Sequence, residues 1–370
     1  MTSTDFFDHI ESALTSKHPF VLFSKPDQQA VKAYIQSDLE SRLINDFSES
    51  GFVFAPFDHS KDSYYIPFEG STILELENLA VEVLSNTSSL NEVESSDNHF
   101  NRVSKAITEI NSTDLEKVVL SKEFKFSIEV TNPIEIFKKL SQNYPSAFTY
   151  CWFHPQTGFW FGASPESLLK LEGQSLSTMA LAGTQAFQSS EQVEWDAKNI
   201  KEHAFVTDYL LEILAEYLDS IKTSGPHTFR AGELLHLQTY ITGRLKSTYH
   251  SLKQLLRAMH PTPAVCGTPR TTALKFIHSN ESYDRAFYAG FFGELNVPTA
   301  STFRNSKKNI ENRAYQTVRK FTHLAVNLRC MSLEDSQAVL YAGGGITKDS
   351  DPEAECIEIQ NKIQTIKKVL

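Results

Sequence analysis

The chain has 370 residues, enough to bury a large core as one domain or two. Its formal net charge of −10 leaves no basic surplus to neutralise phosphates, which excludes nucleic acid as the main partner. No apolar run approaches membrane-spanning length, and Met1-Thr2-Ser3-Thr4-Asp5 opens without the regions of a secretory signal, so no membrane role and a cytoplasmic globular protein are expected.

Phe6, Phe7, Ile10 and Leu14 predict a short amphipathic helix. Phe20–Phe23 and Gly51–Phe54 read as strands, and Ser85–Asn98 as a polar surface connection. A helix over roughly 98–110 precedes a strand from Lys117 to Ile128. Two hairpins follow: Phe148–Phe153 turns through His154–Gly158 into Phe159–Gly162, and Ser167–Leu171 turns near Gly173 into Leu176–Leu181. A long helix is predicted over roughly 191–219. Strands near 228–246, 286–296, 321–331 and 336–342, with helices near 250–259, 269–279 and 352–368, complete the chain. Helices and hairpins interleave without βαβ periodicity, so the fold class is α+β with mostly antiparallel sheets. The polar, basic stretch 296–320 between two strands reads as an insertion or mobile loop.

Chemistry concentrates near the end. Gly343-Gly344-Gly345 follows an apolar run and allows close backbone approach to a ligand. Asp349 or Asp351 can cap the next helix, with Pro352 in its first turn. On that helix Glu355, Glu358 and Lys362 share one face beside a stripe of Ile359, Ile363, Ile366 and Leu370, a pattern suited to a metal or an anionic ligand. Glu202 continues the stripe of Val206, Tyr209 and Ile213 on the long helix. A solvated helix end and a buried carboxylate are equally weighted there; the buried one needs a cation. Three carboxylates from two helices suit a hard, oxygen-preferring ion such as Mg²⁺.

Lys117 opens an apolar strand. Facing solvent is the commoner arrangement for such a lysine; facing inward, burial disfavours an ammonium and suits a general base. Glu166, in Ser164-Pro165-Glu166, would keep its proton if partly buried but alone is an ordinary strand-end glutamate. Arg329 follows apolar Ala325–Leu328 and needs an anion if it points inward. His260, in the proline-set loop His260–Gly267, is a candidate ligand contact, though such a histidine is as often structural. Cys151, Cys266, Cys330 and Cys356 lack ligand spacing, which disfavours zinc and predicts reduced thiols. A calcium loop over Asp349–Gln360 fails, with Ala354 where glycine and Gln360 where glutamate is required.

Lys117-Val118-Val119-Leu120-Ser121, Ser164-Pro165-Glu166, Leu181-Ala182-Gly183-Thr184, Glu202-His203, His260–Val265, Leu328-Arg329 and Gly343–Lys362 together resemble the chorismate-utilising enzymes. These include isochorismate and salicylate synthases and the chorismate-binding components of anthranilate and aminodeoxychorismate synthases. The resemblance covers residues 98–370 as the catalytic region, with 1–97 a weakly matched N-terminal part of the same fold. It implies a two-sheet antiparallel core with helices outside and an active site between the sheets.

The resemblance further implies that Glu202, Glu355 and Glu358 hold Mg²⁺, that Lys117 activates water for attack at C2, and that Glu166 protonates the departing C4 hydroxyl. Tyr288, Arg329, Gly343 and Lys362 match positions that bind the substrate carboxylates, with Ala182, Gly183, Thr184 and His260 lining the site. Amino-transferring members carry glutamine at the base position, and aminodeoxychorismate synthases a nucleophilic lysine where Ala182 stands. Lysine at 117 therefore implies water as nucleophile, isochorismate as product, and no glutaminase subunit. Salicylate synthase, which adds pyruvate elimination, is the alternative, and a non-catalytic chorismate binder a more distant one. A monomer serving menaquinone or siderophore biosynthesis is expected. Asn199, usually acidic in relatives, and Gln185, often arginine, depart from the pattern, as does the 296–320 insertion.

Overall fold

The computed structural model describes residues 1–79, 91–93, 98–128, 132–187, 193–249, 251–299, 319–334 and 336–370. Most of the Ser85–Asn98 connection and most of the 296–320 insertion lie outside these described residues.

Helix α1 (Ser3–Thr15) starts in a reciprocal Thr2–Asp5 capping box and buries Phe6, Phe7 and Ile10. Strands β1 (Phe20–Ser24), β2 (Val31–Gln36), β3 (Gly51–Ala55), β4 (Tyr64–Pro67), β5 (Ser71–Leu76) and β6 (Asn91–Glu92) follow. Helix α2 (His99–Ser112) and strand β7 (Lys117–Ser127) lie where predicted. The apolar pattern does not announce α3 (Pro133–Asn143), although Asn132 caps it and Pro133 opens it. The hairpins β8 (Phe148–His154) with β9 (Gly158–Ser164) and β10 (Ser167–Glu172) with β11 (Ser175–Ala186) form at the predicted turns. Helix α4 (Ala197–Tyr217) begins later than expected because Asp196 caps it, accepting from the Asn199 N–H. Strand β12 (Leu218–Thr223) follows without having been predicted, and β13 (His227–Ala231) and β14 (Leu234–Leu245) occupy the region near 228–246 where strand was expected. Next come α5 (Leu252–Met259), β15 (Gly267–Thr268), α6 (Arg270–Asn280) and β16 (Phe291–Thr299). The chain ends with β17 (Arg319–Val326), β18 (Cys330–Glu334), β19 (Gln337–Thr347) and α7 (Pro352–Lys367), whose cap is Asp351.

Among the described residues one sheet has the order β15-β7-β19-β18-β9-β8-β1-β2-β5, with β6 beside β7. The other runs β12-β14-β11-β10-β17-β16-β3-β4, with β13 beside β14. All these pairings are antiparallel. The fold is thus the expected α+β arrangement of two antiparallel sheets. The first sheet is covered on both faces, which explains the unbroken apolar run Phe20-Val21-Leu22-Phe23. Val21 and Phe23 face the second sheet, where Phe52, Phe54, Phe148 and Trp152 meet. Phe20 and Leu22 face the helix-covered side, with Phe6 of α1, Phe137 of α3 and Ile363 of α7. Burying each such side chain contributes about 1.5–3 kcal/mol.

The strand predicted over 321–331 breaks in the middle. The chain leaves β17 in one sheet, crosses through Asn327–Arg329 and enters β18 in the other. Asn327 anchors the crossing: its Oδ1 accepts from the Tyr150 hydroxyl at 2.7 Å and its Nδ2 donates to the Phe287 carbonyl at 2.9 Å. Arg329 sits there with φ +48°, a conformation that costs about 1–3 kcal/mol in a residue other than glycine. The four cysteines are free thiols, and no helix among the described residues is long and apolar enough to cross a membrane.

Candidate active site

Strands β7 and β19 run together so that Lys117 stands opposite Thr347, Val119 opposite Gly345 and Ser121 opposite Gly343. Opposed residues share a face of the sheet, and here that face looks toward the second sheet. Val119, Tyr341, Gly343 and Gly345 form one wall of a recess with about 660 Å³ of atom-free space, part of it open solvent. The second sheet contributes Leu181–Thr184 of β11 and His236 of β14, and the crossing contributes Arg329. Glu166, Glu202, Tyr288 and Lys362 complete the lining that matters for charge.

The glycines make this packing possible. A Cβ on Gly345 would lie 2.2 Å from Glu202 Oε1 and 2.9 Å from Lys117 Cε. One on Gly343 would lie 2.9 Å from the Tyr288 hydroxyl, while the Tyr288 ring stacks on Tyr341 at 5.5 Å. Side chains from α4 and β7 therefore close over bare backbone.

Glu166 reaches the recess from the end of the β9–β10 turn and is only 3% exposed. Burial pushes its carboxyl up to about 8, with Lys117 pulling the other way, so at neutral pH it holds a proton. Lys117 is fully buried, and its Nζ lies 3.0 Å from Glu202 Oε1. That separation makes an ion pair, but Nζ is not aligned with any hydrogen-bond acceptor among the described residues. Lys117 lies just behind the wall, screened from the recess by Glu202 and Gly345.

Opposite this pair lies a cationic seat. Arg329 makes no ion pair among the described residues; its Nη2 lies 3.3 Å from His236 Nε2. A guanidinium can only donate, so His236 Nε2 accepts and its Nδ1–H donates to the Gly183 carbonyl at 2.9 Å. Burial, then the charge of Arg329, push the imidazole down to about 3, so His236 is neutral. Lys362 donates to the Gly343 carbonyl at 2.9 Å and pairs with Glu358 at 2.6 Å. A dicarboxylate entering here meets an arginine that lacks an anion and a lysine at its flank.

The three candidate metal carboxylates crowd the backbone at Gly344–Gly345. Glu355 Oε2 is 3.3 Å from where a Gly344 Cβ would stand and Glu358 Oε1 is 3.9 Å away, one residue before the Gly345–Glu202 contact. Glu355 is buried, and its Oε2 makes no close hydrogen bond among the described residues, although the Ser350 side chain interacts with the carboxylate. Burial first, then the charge of Glu358, push its carboxyl up. Burial also raises Glu358, but Lys362 more than offsets this and holds it below its usual range. The donor chemistry suits a hard divalent ion. Even so, no three such side chains among the described residues stand close enough to close on a metal. Each carboxylate instead holds a lysine: Glu202 with Lys117, Glu358 with Lys362, and Glu355 with Lys198 at 2.5 Å.

Of the predicted site residues, Glu166, Ala182, Gly183, Thr184, Glu202, Tyr288, Arg329, Gly343 and Lys362 line the recess. Lys117, Glu355 and Glu358 stand behind its wall, in contact with lining groups or backbone. His260 does not reach it. Its ring is fully buried, with Nε2 on the Ala289 carbonyl at 2.8 Å and Nδ1 3.3 Å from His59 Nε2. It instead anchors the loop that brings Ala264 and Val265 to the wall. Asn199 accepts from the Thr184 N–H at 2.9 Å and so fixes the β11 bulge at Gly183, which has φ +77°. Gln185 turns away to the Glu194 carbonyl. Sequence reasoning missed Lys198 and His236. The signals were there: Lys198 lies one turn before Glu202, and His236 is the polar residue within Leu234-Leu235-His236-Leu237.

The two antiparallel sheets and the recess between them are those of a chorismate-binding enzyme family to which the chain belongs by its sequence. The sequence model of the family, described as chorismate binding enzyme, matches residues 70–304 and 316–370. The chain is 28% identical over 269 residues to the isochorismate synthase MenF of Haemophilus influenzae, a match covering 70% of this chain and 57% of that protein. It is 27% identical over 275 residues to the vibriobactin-specific isochorismate synthase of Vibrio cholerae, covering 71% and 64%. It thus spans less than two thirds of the length of these relatives. The fold is similar to that of DhbC from Bacillus anthracis, with a TM-score of 0.77 at 23% identity, covering 97% of this chain and 98% of that one.

Proposed function

We propose that this protein is an isochorismate synthase, adding water at C2 of chorismate as the C4 hydroxyl leaves. The observation that carries this reading is the buried pair of Lys117 and protonated Glu166 beside an arginine without an anion. In the proposed reaction Lys117 first passes a proton to Glu202, and the resulting amine takes a proton from a water that reaches it past that carboxylate; the water oxygen bonds to C2. The ring double bonds shift, the C4–O bond breaks, and Glu166 donates its proton so that the hydroxyl departs as water. One water enters and one leaves, so the reverse reaction uses the same two groups with roles exchanged. Arg329, oriented by neutral His236, and Lys362 hold the substrate carboxylates, and Tyr288 with Gly343 sets the ring against the wall.

Glu202, Glu355 and Glu358 are the residues that would hold Mg²⁺. When bound, the ion supplies positive charge that offsets desolvation of a substrate carboxylate. Lysine in the base position supports reaction with water and no glutaminase partner; the proposed enzyme is a cytoplasmic monomer, a compartment in which its free thiols would stay reduced.

Incubating the protein with chorismate and MgCl₂ and separating the products by chromatography tests the reading. Isochorismate alone is expected, at an equilibrium reached from either side. Salicylate with equimolar pyruvate would replace the reading by salicylate synthase, and unchanged chorismate would refute it. Gly345→Ala is expected to keep the circular dichroism of the parent and to lose roughly two orders of magnitude in turnover, because the added methyl displaces Glu202 and Lys117 together.

A further inference from the structure

Lys198 is the residue of this region that the proposed reaction does not use. It lies in the first turn of α4, one turn before Glu202, and its Nζ donates to Glu355 Oε1 on α7 at 2.5 Å. The contact bridges the two helices that carry the carboxylates. Its other carboxylate neighbours are Glu202 and Glu358, both of which attract the ammonium. Glu355 is 1% exposed whereas Lys198 is 27% exposed. The carboxylate is thus fixed in the interior, while the lysine enters from the rim on a flexible stem with water available behind it. Glu355 Oε2 makes no close hydrogen bond among the described residues, with the Ser350 side chain as further polar help, so one ammonium does not fully satisfy this carboxylate.

We propose that Lys198 is a displaceable internal cation, which neutralises the Glu355 corner of the carboxylate cluster and leaves for solvent when a divalent cation binds. This inference rests on the metal-site reading above and concerns what competes for that site. An isolated buried carboxylate is costly, so the empty site needs a counter-charge to stay folded. An ammonium that is anchored at one point and reaches solvent supplies it without closing the site permanently. Divalent affinity is then set partly by the cost of breaking the Lys198–Glu355 pair.

The test is calorimetric titration of the full chain with MgCl₂, without chorismate, for the parent, Lys198→Met and Lys198→Arg. Lys198→Met is expected to bind Mg²⁺ on the order of tenfold more tightly than the parent, since it keeps the stem and removes the competitor. Lys198→Arg should remain near the parent. Without Mg²⁺ the methionine variant should melt at a lower temperature than the parent, and Mg²⁺ should raise its melting temperature by more. Equal or weaker Mg²⁺ binding by Lys198→Met would overturn the proposal while leaving the metal site standing; no Mg²⁺ binding by the parent or either variant would overturn both. A second measurement needs no variant. Acylation of Lys198 in the parent by an amine-reactive ester, read by peptide mass spectrometry, should rise when Mg²⁺ is added. Unchanged labelling of Lys198 under Mg²⁺ that demonstrably binds would refute its release.

Discussion

Lys117→Ala is expected to lower turnover of chorismate by roughly 10²–10⁴-fold, the usual contribution of a positioned general base. Chorismate affinity should change little, because Arg329 and Lys362, the groups assigned to the substrate carboxylates, remain. The lysine is fully buried and its only ion-pair partner among the described residues is Glu202. Removing it leaves Glu202 facing the recess without its counter-charge, so the variant should also depend differently on Mg²⁺ concentration. Chorismate binding followed by protein fluorescence, alongside product formation, separates the two effects. Full turnover in the variant would exclude Lys117 as the base.

Glu166→Gln should be nearly as damaging, and its pH behaviour distinguishes it from a packing defect. The parent acid must be protonated to release the C4 oxygen as water. With its carboxyl held at about 8, the rate in the forward direction should fall as pH rises through that value. Stability follows the same group. The folded state keeps a proton that the unfolded chain, whose carboxyl titrates near the ordinary value of 4.5, has already lost. Folded stability from this residue is therefore full below about pH 4.5 and declines as pH rises toward 8, by an amount on the order of a few kcal/mol. Glu166→Gln should abolish that decline while abolishing catalysis, and melting curves at pH 6 and pH 9 would show it. A variant whose stability keeps the parent's pH slope would place the raised carboxyl elsewhere.

The hairpins β8–β9 and β10–β11 were legible because alternation and turn residues coincide in them. Strand β12 was not: Leu-Asp-Ser-Ile-Lys-Thr buries only Leu218 and lies at a sheet edge, where burial imposes no pattern. Glu202, Glu355 and Glu358 drew attention as carboxylates beside apolar stripes, whereas Glu166 was an ordinary strand-end glutamate until the family resemblance gave it a role. Lys198 could not, since a lysine in the first turn of a helix looks like ordinary solvated surface until α7 is seen packed across from it. His260 misled for the opposite reason: a histidine in a rigid loop looks like a ligand group, yet its ring nitrogens are taken up by Ala289 and His59. Pair identities such as Lys117–Glu202 depend on how two sheets face one another, and local pattern carries little of that.

The early strands contribute to both sheets, and this bears on how the chain can be made. Strand β3 finds its partner β16 only when residues 291–299 have been synthesised, and β1 finds β8 only at 148–154. Until then Phe20, Phe23, Phe52 and Phe54 sit on unpaired edges of a nascent chain. Such late closure slows folding and leaves sticky intermediates on the ribosome. Recovery of soluble protein should therefore respond more to growth temperature and chaperone supply than to any change near the catalytic residues.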